Sequence, residues 1–124
     1  MNIYLLGMMG SGKSTVGRAL SQYMDMPFID LDLEIEQSVG KTISEIFKND
    51  GEKYFRNIES NQLYQYFDSV VACGGGIILN EGNRTFIKKM VKLFYSQHQL
   101  QNYQNGSPLQ RIGHCYQKIT WKKH

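Results

Sequence analysis

The chain predicts an α/β fold: a three-layer α/β/α arrangement around a short parallel sheet of three or four strands. Three observations lead there. Short apolar runs alternate with longer segments of helical periodicity. A glycine-rich phosphate-binding pattern follows the first apolar run directly, and a triple glycine follows a later one. Strands alternating with helices require right-handed crossovers, which make the sheet parallel and bring ligands to the carboxyl ends of its strands.

Ile3-Tyr4-Leu5-Leu6 reads as the first strand. Gly7-Met8-Met9-Gly10-Ser11-Gly12-Lys13-Ser14 then completes G-x-x-x-x-G-K-[ST]. Thr15 to Met24 places Val16, Ala19, Leu20 and Tyr23 at helical spacing. Strand, loop and helix are the context in which this pattern holds nucleotide phosphates, because glycine amides close on the anion and the helix N-terminus adds partial positive charge. A plain glycine turn before a helix is the competing reading, and the residue-by-residue match disfavours it. A dinucleotide fingerprint would need a third glycine where Thr15 stands.

Pro27 to Asp30 reads as a second short strand ending in the carboxylates Asp30 and Asp32. Leu33 to Val39 is expected as a helix stopped at Gly40. Thr42-Ile43-Ser44-Glu45 is a capping box opening a helix that stops near Gly51, and Glu52 to Phe67 predicts a longer helix. Ser69 to Cys73 is an apolar run of strand length, met at once by Gly74-Gly75-Gly76. Asn83 to Met90 predicts a short basic helix, and Val91 to Tyr95 a fourth strand. Phe47, Phe55, Phe67, Val70 and Val71 are assigned to the core.

The chain's 124 residues suit one domain, short for a five-stranded nucleotide kinase. No stretch approaches the roughly eighteen apolar residues that span a bilayer, and no basic region precedes the first strand. Cys73 and Cys115 lack C-x-x-C spacing, and with His98, His114 and His124 they form no metal-ligand pattern. A monomer in a reducing cytoplasm is expected, with no membrane and no nucleic acid as partner. The charge is asymmetric: residues 1–82 hold six Lys/Arg and all eleven Asp/Glu, whereas residues 83–124 hold eight Lys/Arg and no acid. Those basic residues are scattered, so a solvated segment is the simpler reading than a nucleic-acid surface.

Phosphoryl transfer needs positioning and charge neutralisation more than covalent help. Gly10, Ser11, Gly12, Lys13, Ser14 and Thr15 are the candidate ATP-phosphate ligands, with the Ser14 hydroxyl on Mg²⁺. Asp30 and Asp32, read as two residues apart on one strand, would point the same way. One would then support metal-bound water, and the other would orient or deprotonate an acceptor hydroxyl. Arg56 could present its fork to a carboxylate or phosphate, with Glu59 on the same helix face to hold it. An ordinary surface ion pair is the bland alternative for those two. The triple glycine allows a ligand close to the backbone, or simply a turn.

In this order and spacing, GMMGSGKST (Gly7–Thr15), FIDLDLEIE (Phe28–Glu36), GEKYFRNIE (Gly51–Glu59) and ACGGG (Ala72–Gly76) resemble the shikimate kinase family. The resemblance covers about residues 1–90. It implies transfer of phosphate from ATP to the 3-hydroxyl of shikimate, on the way to chorismate and the aromatic amino acids. It implies that Asp30 holds the water shell of Mg²⁺. Asp32 would bind the shikimate hydroxyls and act as or position the base, so that Lys13 and Asp32 are the catalytic pair. Arg56, braced by Glu59, would grip the shikimate carboxylate, and Gly75 would offer its backbone. Cys73 stands where the family often has a small hydroxyl residue.

Past Met90 the agreement degrades. The resemblance implies an adenine-side arginine, a lid bearing R-P-L-L, a last strand and helix, and a second carboxylate-binding arginine. Arg111 to Thr120 resembles the start of the lid, with Lys118 in the place of its arginine. A lysine there would lack the planar fork that clamps a transferring phosphate. Residues 91–124 are thus expected to be a divergent, incomplete lid region, leaving the sheet short at its C-terminal edge and transfer impaired. The acid-free composition after Asn83 would follow from a shifted reading frame, which translation of the neighbouring frames tests. The rival functional readings are a nucleotide-binding remnant without transfer, a gluconate- or nucleotide-kinase-like enzyme, and nucleic-acid binding through residues 83–124.

Overall fold

In the computed structural model, which describes residues 1–7 and 13–96, four strands pair in parallel. They are β1 (Asn2–Leu6), β2 (Phe28–Asp30), β3 (Val70–Cys73) and β4 (Val91–Ser96), in the spatial order β2-β3-β1-β4. Ile3 to Leu6 lie opposite Val70 to Cys73, and Phe28 to Asp30 opposite Val70 to Ala72. Every residue of β1 and β3 is buried, as expected of inner parallel strands covered on both faces.

Alternation along the strands sorts the core into two layers. Ile3, Leu5, Val70 and Ala72 meet Val16 and Leu20 of α1 (Lys13–Met24) on one face. Tyr4, Leu6, Val71 and Cys73 face the other way. They pack with Leu31 and Ile35 of α2 (Leu31–Val39), Ile46 of α3 (Ile43–Asp50), Phe55 and Leu63 of α4 (Glu52–Leu63) and Ile87 of α5 (Glu81–Met90). The expected three layers are present. Gly17 brings α1 down onto the sheet, since a Cβ there would lie 2.3 Å from the Phe28 ring.

Local chemistry sets the helix ends. Gly40 closes α2 at φ 76°, where a side chain would be strained. The Thr42 hydroxyl accepts from Glu45 N at 3.2 Å to start α3, and Glu36 on α2 accepts from Ile43 N at 3.0 Å. Asn80 caps α5 by accepting from Asn83 N at 3.0 Å, so that helix begins two residues before the sequence predicts. α2 likewise begins at Leu31 rather than Leu33, because Asp30 serves as its cap.

The long helix predicted to Phe67 stops at Leu63. The chain then passes through a left-handed Asp68 (φ 51°) into β3. Phe67 is therefore exposed, in edge-on contact with Phe86, and Phe47 is exposed beside Phe55. Neither belongs to the core, whereas Phe55, Val70 and Val71 do. Among the described residues no helix is long and apolar enough to cross a membrane. Arg111 to Thr120, with Lys118 and the lid reading, lie outside the described residues.

Candidate active site

The carboxyl ends of three strands meet along one edge. Gly7 follows β1 and donates its amide to the Cys73 carbonyl at the end of β3, at 3.3 Å. Asp30 ends β2 opposite Ala72, one residue before Cys73. The phosphate loop, the aspartate pair and the triple glycine thus leave the sheet on the same side, as the order of strands and helices predicts. Lys13, Ser14 and Thr15 form the first turn of α1. Gly10, Ser11 and Gly12 lie outside the described residues.

The aspartates are not a strand pair. Asp30 is the last residue of β2 and also the N-cap of α2, its Oδ1 accepting from Leu33 N at 3.3 Å. Asp32 is already in the first helical turn. The two-residue alternation expected to aim both carboxylates alike does not apply across a strand-to-helix junction. Asp30 instead caps the turn that carries Asp32.

Arg56, itself half-buried, sits between a buried and an exposed carboxylate. Its Nη1 donates to Glu59 Oε1 at 3.0 Å, and its Nε lies 3.6 Å from Glu52. The Glu59 side chain is only 2% exposed, so this is no surface ion pair. Burial pushes the Glu59 carboxyl above the ordinary carboxylate range; Arg56 pulls it down, and the charge of Asp32 raises it further. The Arg56 head also lies 5.3 Å from the centroid of Phe55, whose ring is 4.7 Å from the exposed Phe47. An apolar wall therefore borders the cation.

The triple glycine lies against this cluster. Gly75 is exposed with open space beside it, while a Cβ on Gly76 would meet the Arg56 guanidinium at 2.5 Å. Gly75 and Gly76 begin a 3-10 turn (Gly75–Leu79) held from behind by Asn83. The Asn83 Nδ2 donates to the Ile77 carbonyl at 3.0 Å, and its Oδ1 accepts from the Tyr64 hydroxyl at 2.8 Å. Asn83 is a site-building residue that sequence reasoning missed, and of the triple glycine it singled out Gly75, whereas Gly76 is the one against Arg56. The signal was faint: a third glycine after a strand, and an asparagine three residues after another asparagine at a helix start.

The family model for shikimate kinase matches residues 9–106. The chain belongs to the shikimate kinase family. A shikimate kinase of Dictyoglomus turgidum is 39% identical over 105 residues, covering 82% of this chain and 61% of that protein. The crystal structure of the Aquifex aeolicus shikimate kinase superposes with a TM-score of 0.68 at 41% identity, over 76% of this chain and 58% of that one. A shikimate kinase from Acinetobacter baumannii, solved in complex with shikimate, gives a TM-score of 0.71 at 34% identity, over 94% of this chain and 74% of that one. This chain spans about half to three fifths of the length of the single-function shikimate kinases it matches.

Proposed function

We propose that this chain takes part in the ATP-dependent phosphorylation of the 3-hydroxyl of shikimate. The observation that carries the reading is the Arg56 fork, held at 3.0 Å by a buried Glu59 and lying against the third residue of the triple glycine. A prepositioned guanidinium with an apolar wall suits a small ring bearing one carboxylate. Family membership and the shikimate complex of the Acinetobacter relative support that acceptor.

In this reading Lys13 and the amides of Gly10, Ser11 and Gly12 bind the ATP phosphates, and Thr15 extends that set into the helix. Arg56 binds the carboxylate of shikimate, and the Gly75 backbone contacts the ring substituents. Asp32 accepts the proton of the 3-hydroxyl as its oxygen attacks the γ-phosphorus. The bond from that phosphorus to the β-bridging oxygen breaks, and ADP leaves with the electron pair. Asp32 lies in the first turn of α2, where negative charge is favoured.

The residues also fit Mg²⁺. A hydroxyl at the start of α1 and a carboxylate at the end of β2 form the hard-oxygen donor set that this ion takes while keeping several waters. Ser14 would hold it directly and Asp30 through water, and the ion would neutralise charge on the phosphates.

The test is ADP release from Mg·ATP with and without shikimate, on protein shown to melt cooperatively. Release that depends on shikimate supports transfer to this acceptor. Folded protein that binds ATP with no shikimate-dependent release would overturn it and leave a nucleotide-binding chain.

A further inference from the structure

We propose that the Tyr64 hydroxyl is a positioning group for the acceptor site, acting through Asn83 to lock the Gly75–Leu79 turn to the end of α4. The inference rests on the acceptor reading above, in which Gly75 and Arg56 contact one substrate. Tyr64 is the C-cap of α4, the helix that also carries Arg56. The two residues stand about 12 Å apart along the helix axis at about 1.5 Å per residue. One rigid element thus carries a binding group near its start and, at its end, a fastening for the turn that bears Gly75.

The directions of the hydrogen bonds follow from the groups involved. The Ile77 carbonyl can only accept, so Asn83 turns its NH2 group to it, at 3.0 Å. The amide oxygen is left facing Tyr64, whose hydroxyl donates to it at 2.8 Å. Asn83 is 1% exposed, so without that donor its oxygen would be stranded away from water. The Asn80 side chain holds the Asn83 backbone amide at 3.0 Å, which fixes the residue at the start of α5. Packing aims the hydroxyl: the Tyr64 ring stands edge-on to Phe86, with centroids 4.9 Å apart. Arg84 takes the next two carbonyls, Ile78 at 2.8 Å and Leu79 at 3.2 Å, from the exposed side. The buried part of the turn's fastening therefore depends on Tyr64.

Tyr64→Phe removes one oxygen and keeps the ring against Phe86, so the variant should fold. Binding of shikimate and of Mg·ATP is measured by calorimetry on the full-length parent, Y64F, N83A and the double variant, each checked by thermal melting. Y64F should weaken shikimate about 3- to 10-fold, the scale of one neutral hydrogen bond, and leave Mg·ATP within about twofold. In the N83A background it should change shikimate by less than about twofold, because no amide remains to be oriented. Hydrogen exchange in Y64F gives a second readout that does not need N83A to fold. The Ile77 amide, which donates to the Gly74 carbonyl at 3.3 Å, should exchange faster while the amides of β1 keep their protection.

Parent-like shikimate affinity in Y64F overturns the inference and leaves the acceptor site intact. Equal losses of shikimate and Mg·ATP, or faster exchange of Ile77 and β1 together, also overturn it, since the hydroxyl would then serve only general stability. A shikimate loss that persists undiminished in the N83A background overturns the route through Asn83. No shikimate binding to the folded parent overturns the acceptor reading itself, and this inference with it.

Discussion

Arg56 donates from Nη1 to Glu59 Oε1 at 3.0 Å, and the receiving carboxylate is almost entirely shielded from water. Burial holds the Glu59 carboxyl above the ordinary range, against the pull of Arg56. The native state therefore binds this proton more tightly than the unfolded chain does. Stability from this group is full below the ordinary carboxyl value and is lost as pH rises through the raised one. Glu59→Gln removes the titration, so the stability of the parent relative to the variant should fall as pH rises from about 4 towards 7. Melting temperatures of both proteins across that range check it. A difference that grows with pH would mean the ion pair outweighs desolvation. The same variant should bind shikimate more weakly, because Arg56 loses its fixed partner.

Lys13 and Arg56 serve different ligands and should separate. Lys13→Ala should abolish Mg·ATP binding and turnover. Arg56→Ala should weaken shikimate by about 10- to 100-fold and leave ATP affinity within about twofold. Titrating each ligand against both variants decides the matter; equal losses of ATP and shikimate in Arg56→Ala would misplace the acceptor.

Gly17 is a packing requirement. Alanine in a helix interior normally gains about 1 kcal/mol over glycine. At this position its Cβ would stand 2.3 Å from the Phe28 ring and 3.0 Å from Leu5 Cδ1. Overpacking should dominate, with a net loss of about 1–3 kcal/mol in denaturant titration. Phe28→Leu should recover part of that loss in the Gly17→Ala background and little in the parent.

Asn2 fastens the start of β1 to the segment before β3. Its Nδ2 donates to the Tyr66 carbonyl at 2.8 Å and to the Tyr4 hydroxyl at 2.9 Å, while its Oδ1 accepts from Ser69 N at 3.1 Å. Asn2→Ala strands buried polar groups and should cost about 1–3 kcal/mol by chemical denaturation. Burial pushes the Tyr4 phenol up to about 12, so ultraviolet titration should find it un-ionised well after exposed tyrosines have lost their protons.

The phosphate loop was legible because its residues must be contiguous, and a contiguous pattern survives without any knowledge of the fold. Arg56 and Glu59 were legible for a related reason: three residues on a helix is a fixed spatial offset. The Asp30 and Asp32 geometry was not, because where a strand yields to a helix depends on the capping bond between Asp30 and Leu33 N. Phe67 was misread as core because α4 stops at Leu63, short of the position where helical periodicity would have turned that ring inward. The choice of Gly76 over Gly75 turns on where the Arg56 head comes to rest, which is a tertiary fact.

The strand order has a consequence for synthesis. β1 and β2 do not pair with each other; each waits for β3, which is made some forty residues after β2 and slots between them. A nascent chain that has not yet emerged to Val70 carries two apolar segments with their backbone donors and acceptors unspent, and therefore two templates for association with other chains. Long-separation pairing of this kind is slow to close. The binding edge, whose walls hang from all three strands, is incomplete until the middle strand arrives, so the youngest nascent chains are the ones with most need of a chaperone.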